Sequence, residues 1–306
     1  MPELPEVQTT VMGLKSVLIG LNITDIWSGM FSNSTIAKNT IKDHNYFPYF
    51  KKYSLNNKVV DVRRRAKYIL IDLENGFSII VHMKMTGHLL YGKYEINKNS
   101  NGREWVWIPI DKNKSLHDKY NRHVRVVFSL SNNKHLVFCD SRKFGTIVIE
   151  KTSTISTERL SHIGPEPLEE NFTKKIFHER LLKSPTKAIK TVLMDQSIIA
   201  GIGNIYSDEM LHLSHILPTR TSKSLTTGEV ALLFSSMKKV LKKGIDLGGD
   251  SMSDYRNVKG ERGKFQEKHL VYLRNKLPCK TKECKGVIIK QKINGRSAHY
   301  CPLCQK

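Results

Sequence analysis

The sequence predicts an α+β protein: a β-rich body opened by one helix, then a helical part closed by a cysteine-bearing tail. Three observations predict it. Apolar residues recur at helical spacing from Val7 to Leu18, short runs of β-branched and aromatic residues fill 21–150, and four of the five cysteines crowd the carboxyl-terminal tail. With 306 residues, the chain can bury a substantial core and has room for two domains.

In chain order, Val7, Val11, Leu14 and Leu18 form one helical face, and Gly20 marks a stop. Runs such as Lys58-Val59-Val60-Asp61-Val62, Tyr68-Ile69-Leu70-Ile71 and Val124-Arg125-Val126-Val127-Phe128 read as strands. Cys139, ending the apolar run from His135, reads as a buried strand thiol. Residues 92–120, with Asn97-Lys98-Asn99-Ser100-Asn101-Gly102 and Asp111-Lys112-Asn113-Lys114, read as a polar excursion between strands with no assigned function. The Ser/Thr-rich stretch 152–156 reads as a linker. Residues 160–248 read as helical, including 230–241, and the tail beyond carries a Gly-rich loop and the cysteines. There is no internal repeat and no heptad array.

Charge narrows the function. Fifty Lys and Arg against 28 Asp and Glu give a formal charge of +22, which calls for a polyanionic partner. Composition alone leaves a ribosomal or membrane-surface protein open. No run of 18 apolar residues is present, and Glu3 and Glu6 spoil a signal-peptide n-region, so a soluble, cytoplasmic protein with no membrane partner is expected. Five cysteines do not suggest a disulfide framework in a chain this long. Cys279, Cys284, Cys301 and Cys304 form a C-x4-C and C-x2-C quartet that suits one tetrahedral, structural zinc ion, and a tail this poor in apolar residues needs a metal to fold.

The amino terminus carries the chemistry. Removal of Met1 would leave Pro2 with a secondary α-amine, which titrates near ~7.7–8.0 and is therefore partly neutral at cellular pH. Such an amine attacks a sugar or carbonyl carbon to give an iminium, an electron sink for elimination, and Glu3 beside it is a proton donor. On its own the same stretch also reads as a helix start, with Pro2 in the first turn and Glu3 and Glu6 complementing the dipole. Further on, Ile198-Ile199-Ala200-Gly201-Ile202-Gly203-Asn204-Ile205-Tyr206 puts glycines immediately before a helix starting near Asn204, where main-chain amides approach a phosphate closely.

Seven blocks, in order, give the sequence a resemblance to the bacterial formamidopyrimidine-DNA glycosylases almost from end to end. They are PELPEV at the amino terminus, RRAKYILIDL at 64–73, HMKMTGHL at 82–89, DSRKFG at 140–145, IGPEPL at 163–168, IKTVLMDQSIIAGIGNIYSDE at 189–209 and the closing cysteine quartet. The resemblance implies an N-terminal β-sandwich with an N-terminal helix, then a helix-two-turns-helix domain with a C-terminal zinc-finger hairpin. The implied domains are catalytic 1–150, linker 151–160 and DNA-binding 161–306. The last divides into 161–248, a lesion-covering loop region 249–268 and the zinc finger 269–306.

The resemblance also implies roles. Pro2 is the nucleophile, Glu3 the acid toward O4′, and Glu6 a possible assistant. Lys67 serves the catalytic site and a phosphate. Met85, Arg142 and Phe144 fill the hole left by the everted nucleotide, since a thioether, a guanidinium and an aromatic wedge replace lost stacking and hydrogen bonding. Lys190, Asn204, Arg296, His82 and Tyr272 match phosphate contacts. Gly260 and Gly263 match flexible points of the loop that covers the lesion, with Phe265 at its end. The implied activity is excision of oxidised purines, 8-oxoguanine opposite cytosine and formamidopyrimidines, followed by β,δ-elimination at the abasic site. A monomer acting on duplex DNA near the nucleoid, with no organic cofactor, follows.

Departures from the family pattern are C-x4-C for the commoner C-x2-C, Ser141 and Lys143 in DSRKFG, and Glu261, Arg262 and Lys264 in the loop. Leu4 and the 248–266 segment favour the purine branch over the endonuclease VIII-like branch for oxidised pyrimidines. That branch stays open, as does a noncatalytic zinc-containing nucleic-acid binder.

Overall fold

The computed structural model describes residues 1–98 and 105–306. The chain divides into two compact units, and neither is one continuous stretch: the first comprises Met1–Pro2, Glu6–Ser161 and Gly248–Lys264, the second Glu3–Pro5, His162–Leu247 and Phe265–Lys306.

Helix α1, Leu4–Leu18, forms as its periodicity predicts, with Val7, Val11, Leu14 and Leu18 almost fully buried. It stops before Gly20, whose φ of +84° suits a residue without a Cβ. The first unit is a β-sandwich of two four-stranded antiparallel sheets. One has β1 (Ile23–Ser28), β8 (Val124–Leu130), β9 (His135–Cys139) and β5 (His88–Gly92) in that spatial order. The other runs β10 (Thr146–Lys151), β4 (Phe77–His82), β3 (Tyr68–Leu73) and β2 (Val59–Arg65). Alternating residues of both sheets, among them Ile26, Phe128, Phe138, Ile69, Ile79 and Ile147, share one core with the buried face of α1. Cys139 is fully buried in β9, its thiol donating to the Asn121 carbonyl at 3.0 Å.

Two secondary-structure elements differ from the sequence reading. Helix α2, Phe47–Ser54, interrupts the β-rich stretch; Pro48 sits in its first turn, where its missing N–H costs nothing, and Phe50 is fully buried. The stretch read as a polar excursion carries a hydrogen-bonded hairpin, β6 (Tyr94–Lys98) and β7 (Trp105–Pro109), in register Lys98 to Trp105 through Tyr94 to Pro109. Asn99, Ser100, Asn101 and Gly102 lie outside the described residues. The alternation of Trp105 and Trp107 was the strand signal, outweighed in the sequence by its polar surroundings.

The segment 248–264, which the sequence assigns to the C-terminal domain, clusters with the first unit. Val258 is buried in the sandwich core, Tyr91 donates its backbone N–H to the Val258 carbonyl at 2.8 Å, and buried Arg256 pairs with Asp118 at 3.2 Å.

The second unit is helical: α3 (Lys174–Leu181), α4 (Ile189–Met194), α5 (Asn204–Leu213) and α6 (Thr227–Asp246). Helix α6 opens with a reciprocal capping box between Thr226 and Glu229. Leu4, Phe177, Leu193, Tyr206, Leu233, Leu241 and Phe265 belong to its core. The tail forms a hairpin of β11 (Ile289–Ile293) and β12 (Arg296–Tyr300), turned by Asn294 and Gly295, both at positive φ as a two-residue turn requires. Among the described residues, no helix is long and apolar enough to cross a membrane.

Candidate active site

Helix α5 begins at a glycine, so Gly203 offers no side-chain cap for the helix's free N–H groups. Glu3 supplies one from far away in the chain. Its carboxylate, 2% exposed, accepts from Ile205 N at 2.9 Å and Tyr206 N at 3.4 Å. Glycine is needed beside it, since a Cβ on Gly203 would overlap the Glu3 carboxyl group. Leu4 N donates to the Gly201 carbonyl at 3.0 Å, and a Cβ on Gly201 would stand 2.7 Å from Leu4. The glycines of 201–203 therefore seat the amino-terminal residues. Pro2, next in the chain, is buried.

Glu6 makes structural contacts. It accepts from Asp250 N at 2.7 Å, and its carbonyl accepts from the Tyr255 hydroxyl at 3.1 Å. Lys67 follows Ala66, at φ +51°, in the tight turn between β2 and β3 and is 5% exposed. His82 ends β4 on the same sheet. Its Nδ1 accepts from Lys84 N at 3.0 Å, so a neutral ring carries its proton on Nε2. Burial, then the nearby Lys84 and Lys67, push this imidazole down to about 3, which makes it a neutral donor rather than a cation.

Met85, Arg142 and Phe144 come together on the first unit. The Arg142 guanidinium lies 4.4 Å from the centre of the Phe144 ring, and its Nη1 reaches Met85 Sδ at 3.1 Å. Met85 and Phe144 are 44% and 49% exposed, so the cluster is open on one side. One buried carboxylate fixes both loops: Asp140 accepts from the Thr86 hydroxyl, from Arg142 N at 3.2 Å and from Gly145 N at 2.7 Å. Lys143, the departure from the family pattern, has φ +57°, and its carbonyl is held by Lys42 Nζ at 2.7 Å.

In the second unit, Lys190 and Arg296 line one recess of about 260 Å3 with Thr191, Asp195 and Asn294. The Lys190 ammonium is almost fully buried and paired with Asp208, and burial lowers its pKa against the pull of Asp208 and Glu3. Asn204 opens α5 with its Oδ1 buried and without a hydrogen-bond partner among the described residues, an atom suited to a ligand donor. Tyr272 is half-buried, its ring edge-on to His269 and His299. Gly260 and Gly263 serve close approach: a Cβ on Gly260 would meet the Ser115 carbonyl at 2.6 Å, and one on Gly263 would overlap the Gly249 carbonyl. Phe265 is 2% exposed and packs on Tyr206, 4.8 Å between ring centres.

The sulfur atoms of Cys279, Cys284, Cys301 and Cys304 all lie within 4.8 Å of one another, with 3.7 Å between Cys279 and Cys304 and between Cys284 and Cys301. A tetrahedral zinc at ~2.3 Å from each sulfur requires about 3.8 Å between them. The longer C-x4-C spacing is accommodated: Thr281 N and Gly286 N each donate to a ligand sulfur at 3.4 Å, and the turn closes from Cys284 N to the Thr281 carbonyl at 3.1 Å. The four thiolates could hold a metal such as zinc.

The profile of the formamidopyrimidine-DNA glycosylase N-terminal domain matches residues 1–147, and that of the formamidopyrimidine-DNA glycosylase H2TH domain matches residues 163–256. A formamidopyrimidine-DNA glycosylase of Pelotomaculum thermopropionicum is 36% identical over 100% of this chain and 99% of the relative, and one of Rickettsia bellii is 35% identical over the whole of both. The chain belongs to the formamidopyrimidine-DNA glycosylase family. Solved structures agree with that. A Lactococcus lactis FPG mutant in complex with Fapy-dG-containing DNA superposes with a TM-score of 0.81 at 31% identity, covering 100% of each chain. The Lactococcus lactis enzyme in complex with DNA containing an abasic site gives 0.81 at 31%, covering 99% of each.

Within this formamidopyrimidine-DNA glycosylase fold, three buried acids were missed by the sequence reading. Besides Asp140, Asp208 accepts from His299 N and Nδ1 at 2.9 and 3.0 Å, and Glu209 accepts from the Leu270, Val271 and Tyr272 amides at 2.8–3.0 Å. Asp208 and Glu209 lie inside the quoted block 189–209 but carry no pattern that separates a buried acceptor from a surface acid.

Proposed function

We propose that this family member is a bifunctional base-excision enzyme that removes oxidised purines, 8-oxoguanine opposite cytosine and formamidopyrimidines, and cleaves the resulting abasic site. The observation that carries the reading is the Glu3 carboxyl group, buried and aimed by two α5 amides directly beside Pro2 in the chain. After loss of Met1, the Pro2 ammonium gives one proton to Glu3 and becomes nucleophilic. Its nitrogen attacks C1′ of the everted nucleotide and sheds its remaining proton, the bond from C1′ to the base breaks, and the base leaves with the electron pair and takes up a proton in exchange. Opening of the sugar breaks the bond between C1′ and O4′, and Glu3 returns its proton to O4′. The iminium joining Pro2 and C1′ acidifies C2′, so loss of a C2′ proton expels the 3′ phosphate and a second elimination expels the 5′ phosphate. Water then hydrolyses the iminium and leaves a one-nucleotide gap with phosphates at both ends.

The partner is duplex damaged DNA. Met85, Arg142 and Phe144 occupy the gap left by the everted nucleotide, and a nucleotide leaves its stack at a cost of a few kcal/mol. Lys67, His82, Lys190, Asn204, Tyr272 and Arg296 hold phosphates, His82 through its neutral Nε2–H. The 249–268 region, with Gly260, Gly263 and Phe265, borders the extruded base. Functionally, 1–150 carries catalysis, 151–160 links, and 161–306 binds DNA. One structural zinc on the four cysteines holds the hairpin that presents Arg296. The +22 charge supports a monomer working on the nucleoid in the cytoplasm.

Borohydride trapping on a duplex with one 8-oxoguanine opposite cytosine tests this. A covalent adduct mapped to Pro2, formed on the damaged duplex and absent from an undamaged one, is expected. Trapping on thymine glycol alone would move the substrate to oxidised pyrimidines. No adduct on either, from zinc-loaded protein lacking Met1, would leave a noncatalytic binder.

A further inference from the structure

The chain contains three tryptophans, and all three, Trp27, Trp105 and Trp107, line one groove of about 500 Å3 in the first unit. Trp105 and Trp107 sit two residues apart on β7 and so share a face of the hairpin. The Trp27 and Trp107 ring centres are 6.2 Å apart, and the Lys98 ammonium stands 5.5 Å from the centre of the Trp105 ring. Trp105 is 58% exposed, although it is the residue type that gains most from burial. The buried Trp107 Nε1 has no hydrogen-bond partner among the described residues, whereas a buried indole N–H normally finds one.

The charged part of the described lining is cationic. Arg122, Arg125 and Lys143 contribute charge and His123 an imidazole, with no carboxylate among the described lining residues. Arg125 is held in place by its Nε donating to the Asp140 carbonyl at 2.9 Å, whereas Arg122 is exposed. Burial, then Arg125 and Arg122, push the His123 imidazole down, a sign of the positive field there. Indole faces beside guanidinium groups form the chemistry that holds unpaired nucleotides, with bases stacked on the rings and phosphates on the cations. A duplex hides its base faces, so the tryptophans favour an unstacked strand. Lys143 belongs to the same short loop as Arg142 and Phe144, so DNA at that loop has a continuous path into the groove.

We infer that the groove of Trp27, Trp105, Trp107, Arg122, Arg125 and Lys143 is a second nucleic-acid site that seats single-stranded DNA. The inference rests on the reading of the protein as a DNA enzyme but assigns a surface that reading does not use.

Because every tryptophan lies in the groove, intrinsic fluorescence of the full chain reports it. Titration with undamaged oligothymidylate of about ten nucleotides should quench the emission saturably, and an undamaged blunt duplex of equal length should quench it less. Trp105→Ala should raise Kd for the single strand about 5- to 100-fold. Arg122→Ala, which keeps all three indoles, should raise it about 3- to 10-fold. Both variants should excise 8-oxoguanine from a long duplex within about twofold of the parent. Absent quenching, an unchanged Kd in both variants, or duplex excision falling in parallel with single-strand binding would overturn the inference. Quenching by a parent protein that excises no lesion would sink the proposed function and leave the groove standing.

Discussion

Gly203→Ala adds one methyl group, and its effect can be worked out in advance. The backbone there has φ −135° and ψ −154°, extended geometry open to any residue, so no conformational strain enters. The obstacle is Glu3, whose carboxyl group occupies the space of the new Cβ. Two outcomes compete. Crowding a packed interior costs ~1–3 kcal/mol, while moving Glu3 away forfeits charge-assisted bonds from Ile205 N and Tyr206 N, worth ~1.5–3 kcal/mol each at most. The chain takes the cheaper route, so a loss of about 1–3 kcal/mol is expected. Urea unfolding followed by circular dichroism at helical wavelengths is the suitable assay, because tryptophan emission reports the first unit alone. The decisive comparison is Gly203→Ala in a Glu3→Gly background. There the obstacle is gone, and the glycine substitution should cost less than about 0.5 kcal/mol. The single variant should also lose most base excision while it still binds DNA. An unchanged unfolding midpoint, or equal costs in both backgrounds, would refute the idea that Gly203 exists to seat Glu3.

Metal analysis should find one zinc per chain, and Cys284→Ser or strong chelation should unfold the tail and weaken DNA binding at least about tenfold, since such metals contribute folding energy directly; retained affinity in metal-free protein would contradict this. His82, held down at about 3, is neutral when folded but takes a proton near ~6.5 when unfolded. Its contribution to stability is therefore complete above pH ~6.5 and lost as pH falls toward 3, with a slope of no more than about 1.4 kcal/mol per pH unit. Unfolding free energies at pH 7 and pH 5 should converge for His82→Gln relative to the parent, and parallel pH curves would dismiss the assignment. Lys67→Ala and Arg296→Ala should each lower the salt slope of duplex binding by about one charge, and an unchanged slope removes that residue from the phosphate clamp.

Much of the molecule was readable from its sequence because its signals are local. Helical spacing of Val7, Val11, Leu14 and Leu18 marks α1, and cysteine spacing marks a cluster that the sulfur positions then bear out as a metal-sized one. The gathering of Met85, Arg142 and Phe144 came from blocks of sequence, but Asp140, which holds both loops, did not: nothing local distinguishes an acid that accepts two backbone amides from one facing water. The hairpin of β6 and β7 was hidden by its polar neighbours, and α2 by the β-branched runs around it. The 248–264 segment was assigned by its position in the chain, whereas burial of Val258 and pairing of Arg256 decide where it packs.

The discontinuity of the two units has a consequence for how this protein comes into being. Leu4 is a core residue of the second unit and Val7 of the first, and the first is completed only when 248–264 arrives late in synthesis. An amino-terminal fragment ending near 150 would lack Val258 and Arg256, and a carboxyl-terminal fragment would lack Glu3 and Leu4. Each half lacks residues that belong to its own unit's core. The first seven residues are thus a structural part of both units, so neither unit is complete until the whole chain is made.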